Sequence, residues 1–169
     1  FQRLFVAGQF GPQTPADPVP TGGAYTVYFS PDSPVSSPPL WFNEIVAAMG
    51  AATTSIEIML NAWTRTEMSD AAIAAHGRGV AVRAVVDDTY LDDLPAQAML
   101  AAGIEVRAGS CHNKAMVVDD ALVVTGSANW SENAWSNNEN SLWIRDAAVA
   151  AAYDAEFELI WAEAHPPAP

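Results

Sequence analysis

The segment Val80–Val86 constrains the fold of this chain more than any other feature. Its residues are β-branched and nearly all apolar, which is typical of a strand buried on both faces of a sheet. A helical pattern at Ser69–His76 precedes it and ends at Gly77-Arg78-Gly79, and another helical pattern near Leu94–Ala102 follows it. Because helices and strands alternate in this way, the sequence predicts an α/β fold with helices on both faces of the sheet.

The same two periodicities predict further elements along the chain. The other predicted strands are Tyr25–Phe29, Ser55–Leu60, Ile104–Val106, Ala115–Val118, Leu122–Thr125 and Ser141–Ile144, and the other predicted helices are Leu40–Met49 and about Ala147 to Ala164.

The first residues of the chain differ in character from the rest. Gly8–Gly23 is dense in proline and glycine, as linkers are. Phe1–Phe5 is similar to Phe157–Trp161, near the end of the last predicted helix, and a proline-rich segment follows each. We therefore expect residues 1–24 to contain the end of a preceding helix and a linker, and residues 25–169 to form the domain.

Composition limits the classes of function. Half of the residues are hydrophobic and no apolar stretch is long enough to span a bilayer, which predicts a soluble globular protein. The formal net charge of −13 argues against a broad surface for polyanions, although it leaves room for a small basic pocket. The chain begins with Phe1, shows no signal segment and has one cysteine, Cys111. We therefore expect a processed or truncated product whose compartment, a secreted or periplasmic one included, stays open.

The chemistry is concentrated in residues 112–129, HNKAMVVDDALVVTGSAN. Lys114 is the only lysine of the chain, and it shares a strand face with His112 because side chains repeat every two residues. Asp119-Asp120 is predicted to form a hairpin turn, and the second strand leads into Gly126-Ser127-Ala128-Asn129. An imidazole beside an ammonium group, followed by small residues with backbone amides, fits nucleophilic attack on phosphorus with stabilisation of the charged oxygens.

The spacing of these residues is specific. It is His-x-Lys, four residues, Asp, six residues and Gly-Ser-x-Asn, with Glu139 ten residues beyond Asn129. This pattern closely resembles the HKD motif of the phospholipase D superfamily, and every defining position is filled. The resemblance extends upstream through Tyr28–Pro31, TTSIEIML, GRGVAVRAVVDD and AAGIEVR. It implies a mixed β-sheet flanked by helices on both faces, the phospholipase D-like fold.

The resemblance also implies a role for each site residue. His112 would be the nucleophile that forms a covalent phosphohistidine intermediate, and Lys114 and Asn129 would bind the phosphate oxygens. Glu139 would hydrogen-bond the other imidazole nitrogen and set its tautomer, and Ser127 would support that contact. Neither a metal ion nor any other cofactor is expected in this family.

An active site of this family needs two HKD motifs that face each other across a pseudo-two-fold axis. One histidine attacks, and the other protonates the leaving oxygen and then activates water. This chain has one motif, so a second half is expected: either another copy in a homodimer or the N-terminal half of a two-motif protein. The resemblance of Phe1–Phe5 to the last helix favours the N-terminal half. We expect an apolar pairing surface close to His112, with Trp130 and Trp135 contributing.

Three functions remain open at the level of sequence. The first is a phosphodiesterase that hydrolyses or transfers the phosphodiester of a phospholipid, which the acidic charge and the apolar, tryptophan-rich surroundings of the motif favour. The second is a nuclease with the same mechanism, which the net charge disfavours. The third is a non-catalytic half that shapes a partner's site, and the complete motif argues against it.

Other polar groups favour structural interpretations. Asp119 is expected to have a structural role at its turn, and His76 is expected to cap a helix end. Asp87-Asp88 and Asp92-Asp93 resemble a cation site, but no histidine stands at a ligand spacing from them. The tryptophans that flank the motif are expected in core packing more than in a stacking platform.

Overall fold

The computed structural model of the protein describes residues 23–31 and 38–167. Within them, seven strands and five helices form, together with a 3-10 turn at Asp88–Tyr90. The strands are β1 (Tyr25–Ser30), β2 (Ser55–Leu60), β3 (Ala81–Asp87), β4 (Glu105–Gly109), β5 (Lys114–Val118), β6 (Leu122–Gly126) and β7 (Glu139–Arg145). The helices are α1 (Leu40–Ala51), α2 (Thr66–Gly77), α3 (Leu94–Ala101), α4 (Asn133–Ser136) and α5 (Ala147–Glu163).

Every strand and helix predicted from the sequence is present, with ends that shift by a few residues. Helix α4 and the 3-10 turn were not predicted. The segment Phe1–Phe5 and all of the predicted linker except Gly23 lie outside the described residues. No helix in the described part of the chain is long and apolar enough to cross a membrane.

The seven strands form one mixed sheet in the order β1-β7-β6-β5-β2-β3-β4. Strands β2, β3 and β4 are parallel to one another, and the remaining neighbours are antiparallel. Helices α2 and α3 form the connections between these parallel strands, as is usual for parallel crossovers. The predicted α/β fold with a mixed sheet is therefore confirmed.

The two faces of the sheet carry separate apolar cores. Alternate residues of β3 show this, since Ala84 and Val86 pack with helices α1 to α3 in the larger core while Val85 packs with α5. On the α5 side, Phe157 and Trp161 cover one end of the sheet, and Ala150 covers a smaller cluster. Helices therefore lie on both faces, as β3 predicted.

Charged groups also attach α5 to the sheet. Arg83 of β3 forms ion pairs with Glu57 of β2 and with Glu158 of α5, and its guanidinium lies 4.8 Å from the ring centroid of Phe157. Burial raises the pKa of Glu57 and also that of Asp154, a neighbouring carboxyl of α5. One oxygen of each of these two carboxyls is buried without a hydrogen-bond partner among the described residues. A proton shared between Glu57 and Asp154 would satisfy both oxygens.

Candidate active site

The first half of the motif lies at the start of β5. Lys114 is the first residue of this strand, and His112 is exposed two residues before it. The Lys114 ammonium donates a hydrogen bond of 2.8 Å to the backbone oxygen of His112. The nucleophile candidate and the lysine are therefore held next to each other by local structure.

The hairpin turn after β5 is built as predicted. Asp119 and Asp120 both have a φ of 53°, which the primed hairpin turns require and which aspartate tolerates better than most residues. The Asp119 carboxylate accepts hydrogen bonds from the backbone and hydroxyl groups of Thr53 and Thr54 and from the backbone of Ser55. These bonds hold the pKa of Asp119 far below its usual range despite the opposing effect of burial. Asp119 thus ties the turn to the start of β2, away from the histidine, which fits the expected structural role.

The segment that follows β2 holds both halves of the motif. The backbone N–H of Asn61 donates to the oxygen of Asn113 at 2.8 Å, and its side-chain amide donates to the oxygen of Cys111 at 3.1 Å. These two carbonyls flank His112. The next residue, Ala62, donates its N–H to the side-chain oxygen of Asn129 at 3.2 Å. Asn129 thereby keeps its side-chain N–H donors free of any partner among the described residues.

The second half of the motif forms a tight turn against β7. Ser127 donates to Glu139 at 2.5 Å, and its backbone N–H donates to the oxygen of Asn140 at 3.0 Å. The other Glu139 oxygen accepts from Asn137 at 3.1 Å. Gly126 has a φ of 154°, and a Cβ there would lie 2.1 Å from the Asn140 oxygen. Only glycine fits at this position without displacing β7.

His112, Lys114 and Ser127 line one open depression of about 350 Å³ at the ends of β5 and β6. Glu139 joins them through its hydrogen bond to Ser127. Its carboxylate does not hydrogen-bond the His112 imidazole in the part of the chain that is described. The structure thus brings four of the predicted site residues into one region, with His112 exposed to solvent. Asn129, the fifth, does not line the depression and contacts Ala62 in the loop after β2.

Acidic groups surround the lysine. Burial lowers the pKa of Lys114, while Glu139 and Asp87 act in the opposite direction. Hydrogen bonds from Thr89 lower the pKa of Asp87, and the Cys111 N–H and the nearby His112 contribute to this effect. Asp87 is therefore a carboxylate at neutral pH and lies within electrostatic range of His112.

Several neighbours of the site were missed or misjudged from the sequence. Asn61 and Tyr153, which lines the depression from α5, carry no local signal in the sequence. Burial raises the pKa of Cys111, so its thiol stays neutral beside the histidine. Trp130 is 3% exposed and packs edge-to-face on Trp63, with ring centroids 4.7 Å apart. The expectation that Trp130 contributes to a pairing surface is therefore wrong, whereas its expected role in core packing is confirmed.

The structure gives no support to a metal site at the aspartates of residues 87–93. No three His, Cys, Asp or Glu side chains among residues 23–31 and 38–167 lie close enough to hold a metal ion. Asp88, which the sequence placed in a possible cation cluster, instead accepts a hydrogen bond or ion pair from His165 at 2.9 Å.

Comparison with known proteins gives consistent results. The profile described as "Cardiolipin synthase, PLD-like domain" matches residues 45–161. The mitochondrial cardiolipin hydrolase of Homo sapiens is 35% identical over 131 residues, which are 73% of this chain and 52% of that protein. A phospholipase D of Rickettsia prowazekii is 32% identical over 116 residues, which are 64% of this chain and 57% of that protein. The chain thus spans only part of the length of these relatives.

A solved structure has the same architecture over nearly its whole length. Nuc from Salmonella typhimurium, described as a phospholipase D family member, aligns with a TM-score of 0.73 at 26% identity, covering 86% of this chain and 98% of that chain. The profile match alone covers well over half of the described domain. The chain therefore belongs to the phospholipase D superfamily, a superfamily of phosphodiesterases, and has its fold.

Proposed function

We propose that this chain supplies one half of a phosphodiesterase site in which His112 attacks phosphorus. The observation that carries the proposal is the shared depression of His112, Lys114 and Ser127. An imidazole nitrogen of His112 forms a bond to phosphorus while the bond to the leaving alcohol oxygen breaks, which gives a covalent phosphohistidine. Water then attacks the phosphorus, the bond to nitrogen breaks, and the imidazole is released. An alcohol in place of water would give transfer instead of hydrolysis.

Lys114 and Asn129 would stabilise the oxygens of the transferring phosphoryl group. The Lys114 ammonium has a neutral carbonyl as its hydrogen-bond partner, so its charge stays available to an anion. Asn129 keeps its side-chain N–H donors, because within the described part of the chain only its oxygen is used, by Ala62. Both residues would therefore act on the non-bridging oxygens without rearranging their supports.

Glu139 would orient the imidazole once substrate is bound. Ser127 and Asn137 each donate to a different oxygen of its carboxylate. A carboxylate oxygen accepts more than one hydrogen bond, so Glu139 retains the capacity to accept an imidazole N–H. The exposed His112 ring would reach it by a side-chain rotation, and Ser127 would hold the carboxylate in place meanwhile.

The proposed mechanism requires a second acid from outside the described residues. Displacement in line needs a proton donor on the side of phosphorus opposite His112, whereas Lys114 lies on the side of the nucleophile. Asp87 has a lowered pKa and no proton to give, and the Cys111 thiol is buried. We therefore include a second HKD-bearing half in the proposal, either another copy of this chain or an N-terminal half of a longer protein.

An exposed apolar surface is available for such pairing. Phe29 and Tyr25 on the edge strand β1 are 63% and 56% exposed. Phe29 pairs with Asn140 in the sheet, and Asn140 contacts Ser127 at the depression. This surface takes the place of Trp130 in the expected pairing face.

The proposed substrate is a phospholipid, and a nucleic acid is the alternative. The net charge of −13 disfavours a strand of flanking phosphates, and Asp87 adds negative charge beside the histidine. Relatives described as cardiolipin hydrolases and phospholipase D support the first choice. Because the chain is similar to Nuc, a nucleic acid is included as the alternative substrate in the assay.

The direct test compares His112→Ala with His76→Ala, a histidine at the end of α2 that lies outside the site. Both variants are assayed on a diacyl phospholipid and on single-stranded DNA. We expect His112→Ala to lose at least about 10³-fold in kcat, because the nucleophile is gone, and to unfold at the same temperature as the parent. Substantial residual turnover in His112→Ala would refute the assignment, and no turnover by the parent with any partner would favour the non-catalytic half.

Sedimentation and native mass spectrometry test the second half of the site. Activity should require an assembly that contains two motifs, so specific activity of the isolated chain should rise with its concentration if two copies pair. A stable monomer with full activity would contradict both versions of the pairing. A stable inactive monomer that gains activity from an N-terminal half would select the two-motif version.

A further inference from the structure

Tyr153 is the aromatic wall of the depression. It lies on the inner side of α5, three residues after Ala150 and four before Phe157, which both face the sheet. Its ring packs against the two apolar clusters on this face, one containing Ala115 and the other Val117. It also lines the depression that contains His112 and Lys114.

The position of this ring is fixed by the supports of α5. Arg83 of β3 forms an ion pair with Glu158 of α5 at 2.6 Å, which ties the helix to the sheet. Arg107 of β4 donates to the backbone oxygen of Trp161 at 2.8 Å near the helix end. Two strands thus hold α5 at Glu158 and Trp161, and the ring of Tyr153 packs between this helix and the sheet.

The Tyr153 hydroxyl has no hydrogen-bond partner among the residues that the structure describes. It is accessible to solvent and is not one of the buried polar groups without a partner. A phenol both donates and accepts a hydrogen bond. Side chains that combine an apolar body with a polar tip suit ligands that carry carbon and hydroxyl groups together. Tyr153 therefore brings an apolar ring and an unpartnered hydroxyl to the depression that would hold the phosphodiester.

We propose that Tyr153 is a substrate-binding residue that recognises a hydroxyl on the alcohol part of the phosphodiester, as in glycerol. Its ring covers the carbon chain, and its hydroxyl exchanges a hydrogen bond with the hydroxyl of the substrate. This inference rests on the proposed function and adds to it a preference for polyol esters over simple alkyl esters of the same phosphate.

The test uses two soluble phosphodiesters: glycerophosphoglycerol, whose two alcohols carry free hydroxyl groups, and dipropyl phosphate, whose alcohols carry none. Each is measured as a competitor of bis(4-nitrophenyl) phosphate hydrolysis by the assembled protein. The parent should bind the glycerol ester about 5-fold more tightly, the effect of one neutral hydrogen bond. Tyr153→Phe should bring this ratio close to one. Tyr90→Phe, on the 3-10 turn, is the matched control and should keep the parent ratio.

The outcomes separate this inference from the proposed function. A Tyr153→Phe protein with the parent ratio overturns the inference, even where His112→Ala confirms the nucleophile. Absence of hydrolysis in the parent counts against the proposed function, and calorimetric binding of the same two esters then still measures the ratio. A ratio near one in the parent itself also overturns the role of Tyr153.

Discussion

Replacement of Asp119 by asparagine should reduce stability without removing the chemistry. Its carboxylate is the common acceptor for Thr53, Thr54 and Ser55 at the start of β2. In Asp119→Asn, the amide oxygen would keep the bonds now made by Oδ1, and the amide NH₂ would replace Oδ2. That oxygen now accepts from both the backbone and the hydroxyl of Thr53, at 3.0 and 2.9 Å.

Two effects of Asp119→Asn lower the free energy of unfolding: two hydrogen-bond donors face each other at Thr53, and the negative charge of the acceptor is lost. The hydroxyl of Thr53 can rotate and accept from the new NH₂, whereas the backbone N–H of Thr53 would face another donor there and keep only its bond of 3.1 Å to Oδ1. The bonds that remain also lose the strengthening that an ionised acceptor gives. Because the two threonines are exposed and water replaces part of the loss, we expect a decrease of about 1–2 kcal/mol in the free energy of unfolding. The melting temperature should fall by about 2–8 °C.

The matched control is Asp120→Asn, the adjacent residue of the same turn. It removes the same charge at the same φ of 53°, but among the residues that the structure describes Asp120 accepts only from the Ser55 hydroxyl, at 3.3 Å. Urea unfolding should place Asp120→Asn within about 0.5 kcal/mol of the parent. Both variants should keep kcat within about 3-fold, since neither carboxylate contacts the depression. Equal destabilisation of both, or a loss of more than about 100-fold in kcat with an intact fold, would refute the structural role of Asp119.

The pH dependence gives an independent check on Asp119. Its pKa is lowered on folding, so its stabilisation is present above the unfolded-state pKa of about 3.9 and is lost as the pH falls below it. The parent should therefore approach the stability of Asp119→Asn in acid. A constant gap between the two proteins from neutral pH down into acid would contradict this linkage.

Three further predictions concern the helix support, the loop support and cofactors. Asp154→Asn should reduce the pH dependence of the urea midpoint, because burial raises the pKa values of Asp154 and Glu57 in the folded state. The parent should therefore lose stability relative to the variant as the pH rises above about 4. Parallel curves of midpoint against pH would contradict the shared proton. Asn61→Ala should lower kcat by about 10-fold with little change in KM, because it frees a carbonyl that flanks His112, and kinetics equal to the parent would show that the loop needs no support. EDTA should leave kcat/KM unchanged, since Lys114 supplies the cation, and activity restored by a divalent ion would count against this.

Helices and strands that have a local sequence pattern were predicted from the sequence. Those that form because of contacts with distant residues were not. Strand β3 was recognised because its composition reflects burial on both faces. Helix α4, by contrast, is four residues long with a mostly polar sequence. It depends on Ala134, which is buried and accepts a hydrogen bond of 3.0 Å from Ser30, far away in the chain. No periodicity in so short a segment could predict it.

The site divides in the same way. The common face of His112 and Lys114 and the turn at Asp119 follow from strand periodicity and turn chemistry, so they were predictable. The supports of the site come from elsewhere: Asn61 is 50 residues from Cys111 in the chain, and Tyr153 reaches the depression from α5. Contacts of this kind depend on how the layers pack, which a local pattern does not encode.

The distribution of positive charge is consistent with the proposed phospholipid substrate. Among the described residues, the arginines are engaged in the fold: two pair with carboxylates, and the others donate to backbone or hydroxyl oxygens. These residues are Arg65, Arg78, Arg83, Arg107 and Arg145. Lys114 is thus the cation that faces the depression, and the neighbouring Asp87 is negative. A polynucleotide gains affinity from several phosphates that meet a row of cations, whereas a phospholipid presents one phosphodiester and gains the rest from its apolar part. One lysine in an acidic surface matches the second kind of ligand.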